Sequence, residues 1–174
     1  MADITHRHFT ADDAPQLADN LGQSVVSDWL ANVPENYTTQ DALAFITATN
    51  AVGAGNMAFA LCTATAPDIV LGGFGARSAP PEACAALRVK ELMTIGYWIA
   101  PAHWGKGYAS EAVILLLSLI KEELNPPHIG ALTLVDNKAS VRVLEKAGFT
   151  RAAQAPMPHR GDMADSYIYV LENA

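Results

Sequence analysis

Two glycines flank a lysine at Gly105-Lys106-Gly107, between a β-rich run that stops at Pro101 and an apolar stretch from Tyr108 to about Leu124. Glycine has no Cβ to hold a ligand away from the main chain, and the lysine adds positive charge. A helix opening at Tyr108 leaves its first N–H groups unpaired and pointing the same way, which suits a phosphate or pyrophosphate. The plainer alternative is a strand-to-helix turn whose glycines serve packing. A second pair of residues, Asn137 and Ser140, opens a short helical pattern carrying Val141, Val143, Leu144 and Ala147. Both can reach a ligand lying along the end of the preceding strand. Equally, Asp136 or Asn137 can cap the helix while Ser140 faces water.

Other residues offer less. Gly72-Gly-Phe-Gly75 has the glycines of a dinucleotide fingerprint, but Ser78-Ala-Pro-Pro follows where a helix is needed. His6 and His8 alternate on a predicted strand with no Cys or carboxylate at ligand spacing, so surface histidines are expected and no metal. His103 borders the glycine loop, and a solvated loop histidine is its simplest reading. Trp29, Tyr37 and Tyr97 can line a pocket, with core packing the default for Trp29 and Tyr97. Asp162 and Asp165 fall on a predicted last loop, where they can meet a cation or water.

The elements that must hold these residues follow from periodicity. Ile4 to Phe9 reads as a strand, Thr10 as the N-cap of a helix over about Asp12 to Gly22, and Val25 to Leu30 as a further helical turn. A third helix starts after Thr38-Thr39, turns Ala42, Leu43, Phe45 and Ile46 inward, and closes at Gly53-Ala-Gly-Asn. Strands are predicted over Met57 to Thr63, Asp68 to Ala76 and Val89 to Ile99, with Ser78 to Leu87 as a loop or insertion. After the long helix, which Asn125-Pro-Pro ends, come a strand over Ile129 to Val135 and a helix over Asn137 to Ala147 closed by Gly148. Strands over Phe149 to Ala155 and Ser166 to Leu171 then flank the loop Pro156 to Asp165. This order predicts one α/β domain over residues 1–174 with a mixed sheet.

Composition sets bounds. The chain has 174 residues, 51% of them hydrophobic and 17% charged, enough to bury a core without staples. A formal charge of −7 argues against general nucleic-acid binding and mildly favours cationic partners. Cys62 and Cys84 form no framework, so both are expected as free thiols, with the cytosol as compartment. Met1-Ala-Asp-Ile-Thr-His lacks the features of a signal peptide, and Val113 to Ile120 is too short to span a bilayer, so no membrane role is expected.

Together the two motifs resemble the GNAT superfamily of acetyl-CoA-dependent N-acetyltransferases. Trp104-Gly105-Lys106-Gly107-Tyr108-Ala109, continued by Ser110-Glu111-Ala112, aligns with that family's Gln/Arg-x-x-Gly-x-Gly/Ala signature. Asn137-Lys-Ala-Ser140 through Leu144-Glu-Lys-Ala-Gly148-Phe149 aligns with its second signature. Arg7-His-Phe-Thr-Ala-Asp-Asp-Ala and Pro34-Glu-Asn-Tyr37-Thr-Thr-Gln-Asp41-Ala look like the branch of ribosomal-protein N-terminal acetyltransferases. The resemblance implies a mostly antiparallel central sheet flanked by helices, with splayed central strands. It implies that acetyl-CoA binds at the Ile99 to Ser110 junction. Its arm would pair with Ile99, its pyrophosphate would lie on N–H groups of Trp104, Gly105, Lys106, Gly107, Tyr108 and Ala109, Asn137 would bond the arm, and Ser140 would sit by the thioester sulfur as the catalytic hydroxyl.

Two positions depart from the pattern. Trp104 stands where Arg or Gln is common, and Leu144 where many members carry Tyr, so a side chain assisting the leaving thiolate has to be Ser140. The base that many members carry near position 94 is Thr94 here, and Glu91 would project from the other face. Deprotonating an α-amine at pH 7 costs about 1 kcal/mol, against about 4.6 for a lysine amine. A site without a strong base therefore suits an N-terminal α-amine or another weakly basic amine. The expected function is acetyl transfer to a primary amine by direct attack in a ternary complex. The alternatives are a small-molecule acceptor (polyamine or aminoglycoside) and an inactive acyl-CoA-binding sensor; a homodimer is one assembly the resemblance allows.

Overall fold

The computed structural model describes residues 4–51 and 56–171. Seven strands form one sheet in the order β1-β2-β3-β4-β5-β7-β6. The strands are β1 (Ile4–Arg7), β2 (Met57–Thr63), β3 (Gly72–Ser78), β4 (Met93–Ile99), β5 (Ile129–Leu134), β6 (Phe149–His159) and β7 (Asp162–Leu171). Neighbours pair antiparallel except β4 and β5, which are parallel. The helices are α1 (Ala14–Leu21), α2 (Ser24–Ser27), α3 (Thr39–Ala51), α4 (Pro81–Leu87), α5 (Tyr108–Glu123) and α6 (Lys138–Lys146).

Alternation along β4 divides the core between two faces of the sheet. Ile95 and Ile99 are buried in one cluster with Ala112, Val113, Leu116 and Ile120 of α5 and Leu144 of α6. Trp98 points the other way, onto the cluster built by Phe9, Leu17 and Leu21 of the α1 region and Ala42 and Ile46 of α3. A third cluster seats α4 on the last hairpin through Ala83, Leu92, Met157 and Ile168. Spacings of three and four residues put the buried positions of α5 on one stripe, which is why this stretch is a helix lying on the sheet.

The start of α3 follows its sequence signal: Thr38 N–H donates to Asp41 Oδ2 at 2.8 Å and Asp41 N–H donates back to Thr38 Oγ1 at 3.2 Å, a capping box. The predicted closure at Gly53 to Gly55 lies outside the described residues. Several expectations need correction. Leu43 and Phe45 do not turn inward; they are 41% and 38% exposed, and only Ala42 and Ile46 of that helix are buried. The predicted loop at Ser78 to Leu87 contains α4, because Pro81 takes the first helical position, where a missing N–H costs nothing. The predicted loop at Pro156 to Asp165 is instead the far half of the β6–β7 hairpin, turning at Arg160 and Gly161, both at positive φ. The first helix is divided into a 3-10 turn over Ala11–Asp13 and α1. Strands β1, β3 and β4 are shorter than read, ending at Arg7 or beginning at Gly72 and Met93.

The Gly72 to Gly75 motif is a packing device. A Cβ on Gly72 would run into the Trp98 carbonyl, and one on Gly73 would meet the Trp98 indole at 2.6 Å.

Candidate active site

The parallel pairing of β4 with β5 stops after Met93–Ile129, Thr94–Gly130 and Ile95–Ala131. Beyond Ile95, β4 continues to Ile99 and β5 to Leu134, so the strands part and leave a notch at the centre of the sheet. Which main-chain groups face it follows from the pleat. Met93 N–H donates toward the β5 side, to His128 O at 2.9 Å, while Ala100 N–H donates toward β3, to Leu71 O at 2.8 Å. Residues alternate, so Tyr97 and Ile99 turn their N–H and C=O groups into the notch. Ile99 O already accepts from Trp104 Nε1 at 2.7 Å, which ties the glycine loop to the strand end.

At the wide end of the notch α5 begins. Gly105 and Gly107 have φ of 75° and 86°, the left-handed region where a Cβ is strained, and a Cβ on either would meet nothing within 4 Å. The N–H groups of Ser110 and Glu111 both return to Gly107 O, at 3.0 and 3.2 Å, and that of Trp104 returns to Pro101 O at 3.2 Å. The N–H groups of Gly105, Lys106, Gly107, Tyr108 and Ala109 carry no such main-chain bond among the described residues. Of the N–H groups expected to face a ligand, Trp104 to Ala109, that of Trp104 is engaged and the other five are without a main-chain bond among the described residues. Trp104 itself is 51% exposed and Lys106 is exposed.

Across the notch lies the first turn of α6. Asn137 caps it, its Oδ1 accepting from Ser140 N–H at 3.0 Å; the amide nitrogen is left as a donor. Ser140 is half-buried: its Oγ lies 3.0 Å from Tyr97 Oη in a bond either hydroxyl could donate, and the Ser140 carbonyl, 3.4 Å from the same phenol, is a second acceptor within reach of its proton. Burial pushes the Tyr97 phenol up to about 12, against a smaller opposing effect of Ser140. Leu144 is buried in the core and presents nothing to the notch. Thr133 stands level with Tyr97, two residues past the last pair on β5 and on the same sheet face. Its hydroxyl is buried and has no hydrogen-bond partner among the described residues, although a buried hydroxyl normally finds one.

The opposite face of the notch is lined by the other set of β4 residues. Gly96 is exposed, and a Cβ there would meet nothing within 4 Å, so the floor is open. Thr94 is buried and its Oγ1 donates to Arg77 O at 3.2 Å, which leaves no base at that position. The Arg77 side chain faces Asn32 of the α2–α3 loop; with the amide oxygen turned toward it, Asn32 accepts from both guanidinium nitrogens, Nη2 at 2.8 Å. The β6–β7 hairpin reaches the same loop. Arg160 Nη1 bonds Asp28 Oδ1 at 2.6 Å, and Arg160 N–H donates to Ala31 O at 2.8 Å.

Sequence offered Tyr97 only as a pocket-lining candidate with core packing as its default, and it did not single out Thr133. The usable signal for Tyr97 was its place on β4 beside the glycine loop; for Thr133, a hydroxyl on the buried face of β5. The remaining candidates lie away from the notch or are otherwise occupied. His6 and His8 pack against Phe59, with ring centroids 4.9 and 5.1 Å apart. The His103 ring lies 6.3 Å from that of Tyr108, and burial, with Lys106, lowers its pKa. Tyr37 is buried in the α1–α3 cluster, whereas Trp29 is 43% exposed rather than core. Asp162 and Asp165 lie on β7, where Asp165 accepts from Gln154 Nε2 at 2.7 Å. Cys62 and Cys84 are free thiols. Among the described residues no helix is long and apolar enough to cross a membrane.

Comparisons with known proteins agree with this fold. Over 79 residues the chain is 38% identical to the uncharacterized N-acetyltransferase YoaA of Bacillus subtilis, a match covering 44% of this chain and 45% of that protein. The chain thus spans less than half the length of that relative. Its fold superposes on a putative ribosomal-protein-serine acetyltransferase from Vibrio cholerae with a TM-score of 0.74 at 21% identity, covering 98% of this chain and 94% of that one. It also superposes on the spermidine N-acetyltransferase from Vibrio cholerae, solved with CoA and spermine, with a TM-score of 0.76 at 16% identity, covering 97% and 95%. The family model described as the acetyltransferase (GNAT) domain matches residues 3–150, across the notch and the cradle at its mouth, and the chain belongs to that family.

Proposed function

We propose that this protein is an N-acetyltransferase that moves the acetyl group of acetyl-CoA to a primary amine by direct attack. One observation carries the reading: the notch between β4 and β5 opens on both faces of the sheet. One face has the N–H cradle of α5 and the Tyr97–Ser140 pair; the other has the bare floor at Gly96. Two reactants can enter from opposite sides and meet in the gap.

The residues present fit acetyl-CoA. The N–H groups from Gly105 to Ala109 suit its pyrophosphate, with Lys106 adding charge. The inward N–H and C=O of Tyr97, the inward N–H of Ile99, the free amide nitrogen of Asn137 and the unpartnered Thr133 hydroxyl suit the amides and thioester of its arm. Placed there, the thioester carbonyl is polarised by a β4 N–H, and the amine nitrogen attacks its carbon from the Gly96 side. The N–C bond forms, the C–S bond breaks with its electron pair going to sulfur, and the proton lost by nitrogen passes to water. Ser140 Oγ–H stabilises the thiolate by a hydrogen bond. A hydroxyl is too weak an acid to do more. Catalysis then comes mainly from holding the two reactants in line and from the preorganised N–H.

The favoured acceptor is an α-amine at the end of a slender chain. Thr94 cannot serve as a base, and an amine with a pKa near 8 needs only about 1 kcal/mol to shed its proton at pH 7. The Arg160–Asp28 bond holds the β6–β7 tip to the loop whose Asn32 meets Arg77, on the Gly96 face, and a chain end needs the least room there. Solved neighbours of this fold act, by their names, on ribosomal protein and on spermidine, so the likeness does not choose. A panel of peptides with free α-amines, peptides with only a lysine amine, and polyamines, read by release of CoA thiol, is expected to show the α-amine peptides fastest. Faster turnover of lysine amines or polyamines would overturn the acceptor assignment, and tight CoA binding with no thiol release for any amine would overturn the enzyme.

A further inference from the structure

We infer that Tyr97 is a positioning residue for Ser140: its phenol, 3.0 Å from Ser140 Oγ, turns the serine proton into the notch, toward the sulfur that leaves. The inference rests on the reading above, in which the thioester lies at Ser140.

A serine in the first turn of a helix is ordinarily free to rotate and to bond the main chain nearby. Here its own N–H is taken by Asn137 Oδ1, which fixes the turn, and its side chain meets a phenol carried by a different element. Tyr97 has one proton and two acceptors in reach, Ser140 Oγ at 3.0 Å and the Ser140 carbonyl at 3.4 Å. Either hydroxyl could donate in the shorter contact, and the phenol, the stronger acid of the two, is the better donor. With the phenol as donor to Oγ, the serine proton cannot point at Tyr97 and is left for the notch. Burial keeps the phenol protonated throughout the working pH range, so the donor is always loaded. Tyr97 thus serves the site twice, through its main chain facing the notch and through a side chain that sets the hydroxyl opposite. Its phenol need not touch the substrate.

Tyr97→Phe keeps the ring and removes the bond. The expected result is a fall in kcat of about tenfold, or about 1.4 kcal/mol, with KM for acetyl-CoA and for the amine within twofold of wild type. A purely structural anchor would not move the second readout, the thiol pKa of bound CoA followed by thiolate absorbance. In the wild type this is expected about one unit below the ordinary value near 8.5, and Tyr97→Phe is expected to return it. Ser140→Ala should produce both effects, and the double variant should lose no more than Ser140→Ala alone. If Ser140→Ala lowers kcat and raises the thiol pKa while Tyr97→Phe does neither, the inference fails and the reading stands. If Ser140→Ala changes neither, the reading fails and takes the inference with it. Should Tyr97→Phe not fold, 3-fluorotyrosine at position 97, a stronger donor of nearly the same shape, is expected to lower the bound thiol pKa further; no shift would overturn the inference.

Discussion

Gly96 and Thr133 show how single residues shape the notch. Gly96 has no positive φ to protect, and the space over it is empty, so Gly96→Val should leave the fold intact and even favour the strand. It would fill the approach of the amine. CoA affinity is expected to stay within twofold, with kcat/KM for the amine down at least about tenfold, about 1.4 kcal/mol; titration of CoA beside steady-state kinetics checks the split. Thr133→Val removes a buried hydroxyl that has no partner. The ligand-free protein should gain about 1 kcal/mol, which is about 2 to 4 °C in Tm for a domain of this size, while CoA binds severalfold more weakly. The turn at Gly105 and Gly107 was legible because conformational freedom is a property of the residue type, and both glycines stand at positive φ. The pairing of Tyr97 with Ser140 was not, since 43 residues separate the two and only the sheet brings them together.

Elements follow the same division. The long helix α5 was readable from its apolar spacing and its Asn-Pro-Pro stop, and the cap of α3 from Thr38 and Asp41. The far half of the last hairpin was hidden by Pro156 and Pro158, which look like loop residues. Both lie on β6, the edge of the sheet, where a missing N–H faces no neighbour. The short α4 was hidden by Pro80 and Pro81, of which the second starts the helix. The hairpin matters because Arg160 fastens its tip to the α2–α3 loop. The carboxylate of that pair is more than half exposed, so Arg160→Ala should cost no more than about 1 kcal/mol. Its expected effect lies on the acceptor side: a higher KM for a peptide α-amine and faster turnover of bulkier amines, measured with the same panel.

For the whole molecule, acid stability depends on a pair far from the notch. Arg7 Nη1 and Nη2 bond the two carboxylate oxygens of Asp13 at 2.7 Å each, and Thr10 N–H donates to the same carboxylate at 2.8 Å. Burial alone would raise the Asp13 pKa, but the bonds from Arg7 and Thr10 and the Arg7 charge outweigh it and hold the group below its ordinary value. A depressed carboxyl stabilises the fold above its unfolded pKa, near 3.8, and that contribution is lost as the pH falls through the lower folded value. Stability should therefore decline below about pH 4. Asp13→Asn should be less stable by about 3 kcal/mol at pH 7 and show a shallower acid dependence, as urea melts at several pH values would record.

The notch is closed at the Ile95–Ala131 end and parts toward Ile99 and Leu134, so it is a slot with an open rim and not a tunnel. A molecule that already joins CoA to a peptide through its α-nitrogen can slide in sideways with one arm on each face. Such a conjugate gathers both sets of contacts while losing the freedom of one body instead of two. It should bind far more tightly than CoA or the peptide alone, which makes this protein a natural target for two-armed inhibitors.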